Sequence, residues 1–125
     1  MNLIRVAFYC FIVSISCCGI ARAEIQQPME GTRYSSTSSI AGYGVVPAHV
    51  MAVTIRIMHG GDVVNEVGVA TFPAGLARMY IFNIPAPAAG WPQDAKADTE
   101  VKIKEIFGAG ENDSVTVKIR PESEE

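Results

Sequence analysis

Beyond residue 23 this chain has no cysteine. All three, Cys10, Cys17 and Cys18, fall within the first 23 of its 125 residues. A disulfide framework, a thiol nucleophile and a cysteine-ligated metal are therefore excluded from the remainder. A stretch of about 100 residues without such staples depends on its own core, and at that length it buries around two-thirds of its unfolded surface, enough for one domain.

Membrane-length apolar runs are missing as well. The longest, Val6 to Ile20, has 15 residues and no charge, whereas a helical span needs about 20. A short start with Arg5 precedes it and Ala21-Arg22-Ala23 follows it. Charged start, apolar middle and small residues before a cut make residues 1–23 a cleaved secretory signal peptide. A lipidated Cys17 is the rival, but Ser14-Ile15-Ser16 fits the required preceding residues poorly, and cleavage after Ala23 discards that cysteine.

Positive charge is scarce too. Once Arg5 and Arg22 leave with the signal, eight basic residues face thirteen acidic ones, a net charge of −5. No basic patch is visible, so nucleic acid and anionic membrane surfaces are poor partners. A cysteine-free exported chain fits a bacterial periplasm or cell surface better than a eukaryotic secretory route. Asn112-Asp113-Ser114 matches a glycosylation sequon, which has meaning only in the latter.

What the chain does have is alternation. Met51, Val53, Ile55 and Ile57 share one parity of a strand, His59-Gly60-Gly61-Asp62 supplies a tight turn, and Val63 to Phe72 returns as the second arm of a hairpin. Asn65-Glu66 among the valines marks an irregular residue, a bulge. Leu76 to Ile84 is apolar on both parities and reads as a central strand covered on both sides. Val101 to Phe107 and Ser114 to Arg120 form a second hairpin around a Gly108–Asp113 loop. Thr32 to Ser39 is a polar edge strand or loop, and Gly42 and Gly44 beside Tyr43 mark a bulge or bend.

Six or seven short strands at intervals of about 8–12 residues predict an all-β fold, a small antiparallel β-sandwich of immunoglobulin-like type. Its expected core is Val53, Ile55, Ile57, Val67, Val69, Tyr80, Phe82, Val101, Ile103, Val115, Val117 and Ile119. The expected organisation is a flexible segment at 24–31, one domain at 32–120 and an acidic tail at 121–125. Pro85 to Glu100 is the longest break, with room for a helical turn or two after Asp94.

Chemistry is thinly represented. His49 and Met51 precede a strand that ends at Met58 and His59, and these are ligand types suited to copper. An eight-residue strand spans about 25 Å, so the two ends cannot share an ion. Asp94, Asp98 and Glu100 offer acid/base groups or calcium ligands, against the plainer reading of a solvated loop. Gly108 to Asp113 resembles a calcium loop in composition but lacks its spaced ligand series. The serines of Ser35 to Ser39 sit in no nucleophile elbow. No catalytic residue, cofactor or metal is assigned. Binding residues are instead expected among Trp91, Pro92 and Tyr43. Trp91, the single tryptophan, is either an exposed anchor in the long loop or a plug for one end of the sandwich.

The expected function is that of an exported, non-enzymatic sandwich binding another protein through a loop or sheet edge, in surface assembly or envelope maintenance. A periplasmic carrier of a small ligand or copper-type metal is the alternative, and an enzyme of unknown class comes third.

Overall fold

The computed structural model describes residues 23–125; apart from Ala23, the expected signal peptide lies outside them. Among these residues the structure is all-β, with two sheets whose inner faces share one core, consistent with a β-sandwich. The strands are β1 (Glu24–Gln27), β2 (Arg33–Tyr34), β3 (Ile40–Val46), β4 (Ala52–His59), β5 (Asp62–Ala70), β6 (Phe72–Ala74), β7 (Ala77–Ile84), β8 (Thr99–Phe107) and β9 (Gly110–Ile119). One sheet has the order β1-β3-β7-β6 and the other β2-β9-β8-β4-β5. All pairs are antiparallel except β2 with β9.

The period-two pattern forms the strands because each then buries one parity. Val53, Ile55 and Ile57 of β4, Val101 and Ile103 of β8, and Val115, Val117 and Ile119 of β9 face Tyr80 and Phe82 of β7 across the core. Val67 and Val69, expected inside, are only partly buried because β5 is an edge strand. The β4–β5 hairpin turns on Gly60, whose φ of +62° no other residue type takes up cheaply. The expected irregularity in β5 is present: Ile57 pairs with Asn65 and Met58 with Val63, leaving Val64 as the extra residue.

The structure differs from the sequence reading in several further places. Glu24–Gly31 does not trail: β1 pairs with β3, and Ile25 is fully buried in the core. The β4–β5 hairpin ends at Ala70. The chain turns at Thr71 and passes to the other sheet, so Phe72 belongs to β6. Arg78 fixes that crossing through hydrogen bonds from Nε to Thr71 Oγ1 (2.6 Å) and from its terminal nitrogen to the Thr71 carbonyl (2.8 Å). β7 is central within its sheet but covered on one face only, since a two-layer fold has no third layer; Ile81 is 65 % exposed, and Leu76 lies in the preceding turn.

The β8–β9 loop is two residues, not six, because β9 already begins at Gly110. Finally, Asp94 to Asp98 forms bends rather than a helical turn, with Asp94 Oδ2 accepting from the backbone of Lys96 and Ala97 at 3.0 Å each. The acidic tail also has partners: a 3-10 turn at Glu122–Glu124 puts Glu124 against Arg33 (2.7 Å).

Gly42 and Gly44 are explained by packing across the sheet. They pair with Phe82 and Tyr80, whose rings lie over them; a Cβ at Gly44 would overlap the Tyr80 hydroxyl and lie 2.6 Å from the Glu24 carbonyl. A bulge does occur here, but in the neighbouring strand: Ile25 pairs with Gly44 and Gln27 with Tyr43, leaving Gln26 between them.

Candidate functional site

The residues expected to bind are not brought together. Trp91 is 2 % exposed. Its backbone N–H donates to the Ser36 carbonyl (2.8 Å) and its indole Nε1 to the Ser38 carbonyl (2.7 Å), so it plugs one end of the core and offers no surface to a partner. Pro92 follows it, half-buried. Tyr43 lies elsewhere, on the outer face of the β1-β3-β7-β6 sheet.

That outer face carries a contiguous apolar group. Register places Tyr43 beside Ile81, and Val45 beside Met79, which in turn neighbours Phe72 on β6. Ile81 and Phe72 are 65 % and 42 % exposed, Tyr43 and Met79 half-buried. Parity alone could have grouped Ile81 with Met79, but only the strand order adds Tyr43 and Phe72 to them. The opposite sheet carries several ion pairs. Arg56 pairs with Glu66 (2.8 Å), Lys104 with Glu111 (3.2 Å) and Arg33 with Asp98 (2.7 Å). Arg33 holds the Asp98 carboxyl below the usual carboxylate range, and the backbone bonds from Lys96 and Ala97 do the same for Asp94.

The sheet edges are blunted. β2 and β6 have two and three residues, and β6 contains Pro73, which cannot donate to an added strand. β5 is longer, but its bulge interrupts the edge, and Asn65 Oδ1 already accepts from the Glu66 N–H (2.9 Å).

His49 and His59 are both exposed. No group of three or more His, Cys, Asp or Glu side chains placed to hold a metal is found among the described residues. In the loop that resembled a calcium site, Asn112 Oδ1 accepts from Phe107 N–H (3.0 Å), and Asp113 Oδ2 from Ile25 N–H (2.8 Å).

One buried polar cluster escaped the sequence reading. Glu105 follows Val101 and Ile103 on the inner parity of β8 and is fully buried. Tyr80 Oη donates a short hydrogen bond to Glu105 Oε2; Glu105 Oε1 has no partner among the described residues. Burial pushes the Glu105 carboxyl up to about 8. The charges of Asp113 and Glu24 push the same way, against the opposing effect of the Tyr80 hydrogen bond. Burial, with Glu105 beside it, raises Tyr80 as well. A charged residue on an otherwise apolar parity was the signal available in the sequence.

The sign of the consequence follows from linkage. Below about pH 4.5 Glu105 is protonated whether the chain is folded or not, and contributes no difference. Between there and about pH 8 the unfolded chain ionises first, so stability falls as pH rises, by about 1.4 kcal/mol per pH unit. Glu105→Gln, in protein carrying residues before Glu24, is expected to melt close to wild type at pH 5 and clearly above it at pH 9. Parallel melting curves for the two across that range would contradict this.

Neither a protein-family model nor a curated protein matches the sequence.

Proposed function

We propose that this chain is an exported, non-enzymatic immunoglobulin-like sandwich that binds another protein, in surface assembly or envelope maintenance, through the outer face of the four-stranded sheet. The observation that carries the reading is the grouping of Tyr43, Phe72, Met79 and Ile81 on that face, with Ile81 and Phe72 exposed. Isolated surface apolar residues are ordinary, but a contiguous set on one face is characteristic of an interaction surface. Blunted edges favour docking on the face over strand addition.

The strand order supports the immunoglobulin-like assignment. If β1, β3, β7 and β6 are equated with A, B, E and D, the second sheet carries C, F and G as β4, β8 and β9, with β5 beside C. Export to the periplasm or cell surface rests on the three-part leader and, among the described residues, on sheet pairing from Glu24, directly after the expected cut.

Ile81→Asp tests the reading. An exposed site away from the core should change stability by no more than about 0.5 kcal/mol. A photo-crosslinker at position 79 should capture a specific envelope protein from cells, and Ile81→Asp should abolish that capture while a crosslinker at Lys102, on the other sheet, captures nothing in common. Equal capture with and without Ile81→Asp would refute the assigned face.

A further inference from the structure

We infer that the amine released at Glu24 when the leader is removed is the structural counter-ion of the buried Glu105 carboxylate and the half-buried Asp113 carboxylate. The inference rests on the cleavage after Ala23 proposed above. Hydrolysis of the Ala23–Glu24 amide adds one water across the bond, leaving a carboxylate on Ala23 and an ammonium on Glu24. A neutral nitrogen with one N–H becomes a cation with three.

The structure brings the start of β1 to the acids. β1 pairs with β3 from Glu24 onward. Ile25 N–H donates to Asp113 Oδ2 at 2.8 Å, tying β1 to β9 of the opposite sheet. The Glu24 nitrogen is one residue upstream, and successive Cα atoms are about 3.8 Å apart. Asp113 is the cross-strand partner of Glu105. The groups facing Glu105 are Tyr80 from β7, Asp113 from β9, Glu24 from β1 and, alongside on β4, Ile55. Among the described residues no lysine or arginine forms an ion pair with Glu105 or Asp113; the side-chain cations that are paired lie on Arg33, Arg56 and Lys104.

The buried Glu105 Oε1 is likewise without a hydrogen-bond donor there. A buried carboxylate without a cation is costly, and the chain places its own amino terminus where one is needed. Processing therefore does more than release the protein: it completes the core, and the precursor is the less stable form.

The test compares three forms of 24–125: unmodified amine at Glu24, acetylated Glu24, and one alanine added before Glu24. Thermal melts at pH 5, 7 and 9 and the amine pKa, read by NMR on labelled Glu24, are the measurements. The unmodified form should melt highest at pH 7, with its amine raised by about one unit or more above the ordinary range near 8. That advantage should vanish in the Glu105→Gln/Asp113→Asn variant, whose amide oxygen at position 113 still accepts from the Ile25 N–H. Equal melts for the three forms, or an amine in its ordinary range, would overturn the counter-ion role. The mass of the protein recovered from cells separates this from the leader reading: a first residue other than Glu24 overturns the cleavage site, whatever the melts give.

Discussion

Gly44→Val is expected to abolish cooperative folding. Added bulk in a packed core usually costs about 1–3 kcal/mol because neighbours give way a little. Here two neighbours cannot give way cheaply. One is the Glu24 carbonyl, part of a paired backbone; the other is Tyr80, whose hydroxyl a new Cβ would overlap. Displacing Tyr80 takes the hydrogen-bond partner from Glu105, and orphaning a buried polar group costs about 1–3 kcal/mol on its own. Together these reach the lower end of the stability of a domain of this size, about 5–15 kcal/mol.

Far-ultraviolet circular dichroism during a urea titration reads the result. Gly44→Ala should lose part of the stability, and Tyr80→Phe in the same chain should restore some of that loss by removing the hydroxyl, the nearest of the overlapping atoms, a coupling that a double-mutant cycle isolates. A Gly44→Ala protein that melts like wild type would show that Tyr80 is not seated over Gly44.

The second large effect belongs to Trp91→Ala, with an expected loss of about 3–5 kcal/mol. The indole is among the largest fully buried side chains and joins the core from a loop rather than a strand. Its removal leaves a cavity and strips the Ser38 carbonyl of its donor. Trp91→Phe keeps most of the volume and loses the hydrogen bond, so it should fall between the two. The wild-type emission should be that of a buried indole, shifted to the red only on unfolding. A Trp91→Ala protein with an unchanged urea midpoint would return Trp91 to the surface and to candidacy as a binding anchor.

Strand parity was legible because burial selects it directly: Val53, Ile55 and Ile57 announce an inner face without any partner in view. Ile25 did not announce itself, since Gln-Gln-Pro follows it and a four-residue edge strand has no pattern to repeat. Glu105 was concealed by its own charge. The apolar face was concealed by its chemistry, because Ile81 and Ile57 are the same residue on strands of similar pattern, and only sheet membership decides which is covered. Sheet membership in turn depends on the crossing at Thr71, a position whose role is set by Arg78 seven residues later. Tyr43 lies on the proposed binding surface, but through its cross-strand neighbours rather than through the glycines that drew notice to it.

The two ends of the described residues meet. β1 reaches Asp113, and β2 lies parallel to β9, pairing Arg33 with Lys118 and Tyr34 with Ile119. Such pairings span most of the described domain, so their loop-closure entropy must be met before any of their contacts stabilise the fold, and folding of this kind is slow. For a chain exported as proposed, that delay is useful. Until the last ten or so residues of the domain are available, β2 has no partner strand and β1 lacks its tie to β9, and the polypeptide stays threadable through a translocation channel.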